Sequence, residues 1–198
     1  MAENLVRIGL IGMGRHGMRY ASHLLAGDVP RAQLTAVFRR DRELGLDWAE
    51  PRGLTYHDEM EALVADPAVD LVVAAAPPAV HPQAGALAAA HRKPILVEKP
   101  LAPSVRQAAE AVAVAREAGI VAMVAQTMRF SSVVQALKQR VHGFGPLHLV
   151  AINNRFEPAD RLWFNDPVHG GMIINTVAHV SDLLRYVTGA EVVEVPAI

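Results

Sequence analysis

Three closely spaced glycines form a candidate phosphate-binding turn near the start of the chain. Gly12, Gly14 and Gly17 follow a short apolar run at 6–11. This order predicts a buried strand, a tight turn and a helix whose N-terminus holds a dinucleotide pyrophosphate. Gly12 would allow the turn, Gly14 the approach of phosphate, and Gly17 the packing of helix on strand. The alternative is an ordinary strand–turn–helix with incidental glycines. The other predicted cofactor contacts of this turn are Met13, Arg15 and His16.

A lysine between a carboxylate and a proline is the candidate acid/base residue. Glu98-Lys99-Pro100 comes directly after an apolar run at 95–97. A lysine beside the cationic ring of a nicotinamide in a dry cleft is suited to proton transfer. We therefore predict that Lys99 is catalytic and that Glu98 and Lys99 also contact the cofactor. The alternative is a surface ion pair of Glu98 with Lys99, but adjacent strand residues point to opposite faces.

The residues after the second predicted strand indicate which cofactor is bound. An NAD site usually has an acidic residue here, which bonds the ribose 2′-hydroxyl. This chain instead has Arg39 and Arg40, followed by Asp41. Arginine cannot accept a hydrogen bond from the ribose hydroxyls but suits a 2′-phosphate. We predict a preference for NADP(H), with NAD(H) possible. The alternative is two solvated arginines with Asp41 reaching back to the ribose.

A proline pair ends the fourth predicted strand. Ala76, Pro77 and Pro78, with His81 after them, would lie at the carboxyl edge of the sheet. Rigid prolines there would form a wall beside the cofactor, so all four residues are predicted cofactor contacts. A simple strand stop, with a histidine that does no chemistry, is an equally good interpretation.

Three polar residues share one face of a helix predicted at 172–187. Asn175, His179 and Asp182 stand at positions i, i+4 and i+7 of an otherwise apolar segment. They predict the wall of a substrate cleft. The alternative is a polar network that ties this helix to the first domain. A metal site has little support, because no second cluster of ligands is evident.

The elements that must position these residues alternate between strand and helix up to residue 125. This alternation predicts a doubly wound parallel Rossmann sheet, an α/β fold, with 1–125 as the NAD(P)-binding domain. Residues 126–198 predict a partial α+β domain for substrate binding or oligomerisation. Because two strands and a helix are too few for an independent sheet, we expect this second domain to be truncated. The predicted strands are 6–11, 32–38, 54–56, 70–75, 95–97, 120–125, 147–156 and 191–195.

Composition narrows the class of protein further. The 198 residues carry a net charge of -1, which gives no reason to expect nucleic-acid binding. With no cysteine, disulfides and thiol nucleophiles are excluded. We see neither a signal peptide nor an apolar stretch long enough to span a membrane, so we expect a cytoplasmic protein. Lysine is rare among the 19 basic residues, which makes Lys99 stand out: the others are Lys93 and Lys138.

Taken together, these motifs resemble the Gfo/Idh/MocA oxidoreductase family over essentially the whole chain. The glycine turn, Ala76-Pro77-Pro78 with His81, Glu98-Lys99-Pro100, Arg129-Phe130 and His179-x-x-Asp182 stand in that family's order. The resemblance implies hydride transfer between a nicotinamide and a hydroxyl or carbonyl carbon of a sugar, inositol or similar small molecule. It implies Lys99 and His179 as the acid/base pair, Arg129 at the cofactor, and a homo-oligomer formed through an open sheet. The candidate substrate contacts are Lys99, Arg155, Trp163, Asn175, His179 and Asp182.

The chain departs from that family's pattern at two positions on the predicted helix. Asn175 stands where many relatives have an acidic residue, and Val177 replaces a common glycine. Asparagine holds no negative charge beside an imidazolium. A second hypothesis is therefore a non-catalytic NADP(H)-binding sensor or partner subunit. A third is an assembly module that exchanges its partial second domain with a partner.

Overall fold

The protein, described by a computed structural model over residues 5–152 and 166–195, divides into two compact units. The first unit is Met1–Ala125 and the second is Gln126–Ile198. Within the described residues, no helix is both long and apolar enough to cross a membrane.

The first unit holds one six-stranded parallel sheet. Its strands are β1 (Val6–Ile11), β2 (Ala32–Phe38), β3 (Thr55–His57), β4 (Leu71–Ala74), β5 (Ile95–Glu98) and β6 (Ala122–Ala125). The spatial order β3-β2-β1-β4-β5-β6 confirms the predicted doubly wound Rossmann sheet. From β1 the sheet extends through β2 and β3 on one side and through β4, β5 and β6 on the other, so the strand order switches sides between β3 and β4. The crevice between β1 and β4, outside the carboxyl ends of the strands, is where such sheets bind ligands.

Five helices connect these strands. They are α1 (Arg15–Leu25), α2 (Arg42–Ala49), α3 (Met60–Ala65), α4 (His81–Ala90) and α5 (Val105–Glu117). Local chemistry sets their ends: the Asp41 carboxylate accepts from the backbone N–H of Leu44 (3.1 Å), and the Ser104 hydroxyl accepts from that of Gln107 (3.3 Å). Gly119 follows α5 with a φ of +66°, a conformation that favours glycine.

Apolar side chains cover both faces of the sheet. Val72 belongs to a buried cluster with Leu63 and Ile95, whereas its neighbour Val73 packs into a second cluster with Leu10. Successive strand residues point to opposite faces, so each strand supplies both cores. The sheet is thus buried on both sides, and its carboxyl edge is left to display functional groups.

The described part of the second unit is helical. It contains α6 (Ser132–Val141) and α7 (Gly171–Thr188), which pack against each other, and short 3₁₀ turns at Thr127–Phe130 and Pro167–His169. The strand prediction at 147–156 is wrong over residues 147–152, and 153–156 lie outside the described residues. The prediction at 191–195 is also wrong. Alternating apolar residues form a strand only when a neighbouring strand satisfies their backbone groups, and the described part of this unit supplies none.

Candidate functional site

The glycine turn after β1 is shaped by close backbone contacts. Gly12 has a φ of +96°, and a Cβ there would lie 2.5 Å from the carbonyl oxygen of Ala75. A Cβ at Gly17 would lie 1.8 Å from the carbonyl oxygen of Gly12. At Gly14, by contrast, an added Cβ would meet no described atom within 4 Å. Two glycines therefore close the turn, and the third leaves open space in front of it.

Helix α1 begins at this open space without a side-chain cap. Gly14 is its N-cap residue, and no described side chain accepts a hydrogen bond from its first backbone N–H groups. Helices α2 and α5 are capped by Asp41 and Ser104, whereas α3 and α4, like α1, have no side-chain cap. Uncapped N–H groups and the helix dipole attract an anion, and Arg15 and His16 are exposed in the same turn. The residues present thus fit the pyrophosphate of a dinucleotide.

Two arginines follow β2 at the same edge of the sheet. Arg39 is half-buried and Arg40 is exposed, and neither guanidinium forms an ion pair with a described residue. Their neighbour Arg42 does pair, at 2.7 Å from Asp58. The Tyr56 hydroxyl donates to the carbonyl of Arg39 (2.9 Å), which anchors the backbone of this loop. Since the Asp41 carboxylate already caps α2, positive charge dominates the position where a ribose 2′-substituent would lie.

The loop after β4 is tied to the loop after β5 by His81. The ring is only 1% exposed, with Nδ1 2.8 Å from the carbonyl oxygen of Pro100 and Nε2 2.8 Å from that of Ala76. Burial lowers the pKa of His81, against the opposing effect of the two carbonyl oxygens. Both ring nitrogens thus face backbone carbonyls, and the His81 ring joins the loops that follow β4 and β5. Pro78, predicted as a wall beside the cofactor, is itself buried.

Lys99 stands directly after β5, beside a buried carboxylate. Glu98 is 6% exposed; its Oε1 accepts from the Tyr20 hydroxyl (2.8 Å), and its Oε2 accepts from the backbone N–H of Lys99 (3.0 Å). His16 Nε2 lies 3.3 Å from Oε1. Burial disfavours the charged carboxylate, but the hydrogen bonds from His16 and Tyr20 outweigh it and hold the pKa of Glu98 below its usual value. The Glu98 carboxylate thus turns toward α1, and Lys99 remains at the carboxyl edge of the sheet.

Tyr20 is a member of this cluster that the motifs did not reveal. Burial, and then its hydrogen bond to Glu98, raises the pKa of Tyr20 above its usual value. Its spacing was the available signal, because Tyr20 stands one helical turn after His16 and so shares its face of α1.

In the second unit, the predicted helix carries the expected polar face. Asn175 is 2% exposed on α7, and its side-chain amide donates to the carbonyls of Gly171 (2.8 Å) and His169 (3.2 Å). These bonds need an amide, because an ionised carboxylate cannot donate. Asn175 therefore stabilises the turn that begins α7. His179 lies one turn further along the helix and is half-buried.

Arg129 is a predicted cofactor contact and Asp182 a predicted substrate contact, and their side chains form an ion pair with each other. Arg129 Nε donates to Asp182 Oδ2 at 2.8 Å, and a second bond joins Arg129 Nη2 to Oδ1. The guanidinium also lies 5.0 Å from the ring centre of Tyr186. This pair joins the 3₁₀ turn at Thr127–Phe130 to α7. The other candidate substrate contacts, Arg155 and Trp163, lie outside the described residues.

The first unit defines a class of protein: a dinucleotide-binding Rossmann domain with a lysine at the ligand-binding edge of its sheet. Comparison with known proteins agrees. Residues 6–126 match the oxidoreductase family with an NAD-binding Rossmann fold. The chain belongs to this Gfo/Idh/MocA oxidoreductase family.

Three similar proteins illustrate the relationship. The scyllo-inositol 2-dehydrogenase (NAD(+)) of Bacillus subtilis is 30% identical over 98% of this chain and 57% of its own length. A scyllo-inositol 2-dehydrogenase (NADP(+)) of the same organism is 28% identical over 71% of this chain and 43% of its own length. The structure of the Bordetella pertussis WlbA dehydrogenase in complex with NADH and UDP-GlcNAcA matches 93% of this chain and 60% of its own, with 24% identity and a TM-score of 0.84. This last likeness supports the fold alone. The chain spans about half the length of these relatives.

Proposed function

We propose that this protein is an NAD(P)-dependent oxidoreductase that transfers a hydride between a nicotinamide and a hydroxyl or carbonyl carbon of a sugar, an inositol or a similar small molecule. The observation that carries the proposal is the position of Lys99, directly after β5 at the edge that also displays the glycine turn. The named activities of the two inositol dehydrogenases support the substrate class.

The chemistry divides between the cofactor and the chain. Oxidation of an alcohol removes a hydride from carbon and a proton from oxygen, and a bound nicotinamide supplies the hydride acceptor at C4. In this direction the neutral amine of Lys99 accepts the hydroxyl proton as a general base. In the reverse direction the ammonium of Lys99 returns that proton to the carbonyl oxygen. We assign His179 to positioning the substrate hydroxyl or sharing its proton.

We further propose that NADP(H) is preferred over NAD(H). Relatives are named for both cofactors, so the preference depends on this chain's own residues. Arg39 and Arg40 lack ion pairs among the described residues, and the Asp41 carboxylate caps α2. A 2′-phosphate would provide the anion that this loop attracts. The pyrophosphate would lie at the uncapped start of α1.

Turnover of a small set of polyols tests the proposed function. The purified protein is offered scyllo-inositol, myo-inositol and common aldoses with each cofactor, and reduced nicotinamide is followed by absorbance. We expect turnover of at least one polyol, and Lys99→Ala should lower it about 10²- to 10⁴-fold. Lys93→Ala is the matched control, because Lys93 instead donates to the carbonyl of Val69 (2.7 Å). Near-normal rates in Lys99→Ala would show that this lysine is not the acid/base group.

The rival function is nucleotide binding without turnover, as in a sensor or a partner subunit. Asn175 motivates it, because the amide is engaged by the backbone of the turn before α7 and carries no charge to support an imidazolium at His179. Tight binding of NADPH together with no turnover of any polyol would favour this rival.

A further inference from the structure

A cluster around a buried carboxylate joins the phosphate-binding helix to the segment that carries Lys99. At its centre the Glu98 side chain is 8% exposed and accepts two hydrogen bonds, from the Tyr20 hydroxyl (2.8 Å) and from the backbone N–H of Lys99 (3.0 Å). The half-exposed imidazole of His16 lies beside it, with Nε2 3.3 Å from Oε1. Tyr20 and His16 belong to α1, and Lys99 follows β5.

This cluster suits a carboxylate and no other side chain of similar size. A carboxylate accepts at both oxygens, whereas glutamine has one accepting oxygen and a donating NH₂ group. A buried charge is costly unless partners compensate it, and here two hydrogen bonds and the neighbouring imidazole of His16 do so. With Glu98 replaced by glutamine, the NH₂ group would face either Tyr20 and His16 or the N–H of Lys99.

The position of the cluster suggests what it does. His16 and Tyr20 stand one turn apart on α1, the helix whose first N–H groups face the proposed pyrophosphate site. On the other side, the carboxylate holds the backbone of Lys99. A rigid link between these segments sets the lysine at a constant position relative to the phosphate loop.

We propose that Glu98 is a positioning residue that, anchored by Tyr20 and His16, holds the backbone of Lys99 in place relative to the cofactor turn. This inference rests on the proposed acid/base role of Lys99 and adds a specific residue to that site. Glu98 acts through Lys99 and takes no proton from the substrate.

Amide hydrogen exchange measures this link without any substrate. The readout is the protection factor of the Lys99 N–H, which corrects the exchange rate for neighbouring side chains. Tyr20→Phe removes a single hydroxyl, and we expect it to lower this protection about tenfold, as loss of a hydrogen bond to a charged group would. Glu98→Gln should lower it at least as much. If Glu98→Gln fails to fold, the protection of the Lys99 N–H in Tyr20→Phe alone tests the proposal.

A matched control separates this link from general loss of stability. The Thr35 hydroxyl lies in the same unit and donates to the carbonyl of Ala68 (3.0 Å). The same hydroxyl also lies 3.3 Å from the carbonyl oxygen of Ile8. Thr35→Val removes this half-buried hydroxyl, yet it should leave the protection of the Lys99 amide as in wild type. Wild-type protection in both Tyr20→Phe and Glu98→Gln, or an equal loss in Thr35→Val, would overturn the proposal.

Steady-state kinetics extend the test to chemistry. With a polyol that is turned over, Tyr20→Phe should lower kcat about tenfold or more per folded molecule, because a small displacement of a catalytic group is costly. The NADPH Kd should stay within about twofold of wild type, and the isotope effect from a deuterated substrate carbon should rise. An unchanged kcat and isotope effect would overturn the proposal. If no polyol is turned over, the proposed function fails, and the exchange data still decide whether Glu98 holds Lys99.

Discussion

The imidazole of His81 lies 2.8 Å, through Nδ1, from the carbonyl oxygen of Pro100. Its Nε2 lies equally close to the carbonyl oxygen of Ala76, so one buried ring joins the loops that follow β4 and β5. Glu98 holds the segment after β5 from the side of α1. The residue proposed for proton transfer is therefore flanked by two polar contacts to different parts of the sheet's edge.

The burial of His81 predicts a pH-dependent stability. Its pKa is lowered in the folded state by burial, so the unfolded chain binds the proton more readily. The free energy of unfolding therefore falls as pH drops through the ordinary histidine range near 6.5, because His81 binds a proton there in the unfolded state but not in the folded state. We expect the free energy of unfolding to decrease between roughly pH 7.5 and pH 5.5.

His81→Gln isolates this contribution, since glutamine does not titrate. Urea unfolding of wild type and His81→Gln at both pH values should show a smaller pH dependence in the variant. His148→Gln is the control, because His148 is exposed and forms no ion pair with a described residue. An unaltered pH dependence in His81→Gln would contradict the prediction.

The arginines after β2 predict a cofactor preference. NADPH should bind roughly tenfold or more tightly than NADH, because one charge-assisted hydrogen bond contributes about 1.5–3 kcal/mol. Arg39→Asp should abolish or reverse this preference, as measured by titration of each cofactor. Arg116→Asp, which makes the same change of charge on α5, should keep it. Equal affinities in wild type would disprove the assignment.

The pair of Arg129 and Asp182 predicts a structural contribution within the second unit. Asp182→Asn should lower the free energy of unfolding by roughly 1–3 kcal/mol, because it weakens a bidentate ion pair whose carboxylate is largely buried. Glu191→Gln, which weakens the exposed pair with Arg185, should have little effect. If Asp182→Asn instead leaves stability unchanged and raises KM for a polyol, then Asp182 serves the substrate.

Exposed apolar side chains in the second unit predict self-association. Leu149 is 86% exposed and Val195 is 80% exposed, and Leu147 and Ala151 are exposed as well. Apolar groups left in water favour contact between molecules. Sedimentation velocity over a range of concentrations should show association, and Leu149→Lys should reduce it. A single monomeric species at every concentration would contradict this expectation.

Local sequence determined the elements of the first unit. The apolar runs predicted all six strands in order, and the bounds of β1 and β2 agree with the structure. The caps that Asp41 and Ser104 form at the starts of α2 and α5 are local as well, because capping depends on residues close in sequence. The positive φ of Gly12 and the close approach of Gly17 to the Gly12 carbonyl are also local, whereas the contact of Gly12 with the carbonyl of Ala75 depends on the packing of β1 beside β4.

Other features were decided only by the tertiary structure. The strands predicted at 147–156 and 191–195 are absent where residues are described, because pairing depends on partners that an alternating pattern cannot supply. The contacts of Glu98 with Tyr20 and of His81 with Pro100 join residues 78 and 19 positions apart. The sequence by itself therefore determined the class of fold and the motifs at the edge of its sheet. Tertiary packing determined which side chains hold those motifs in place, since that choice depends on distances between segments that meet only after folding.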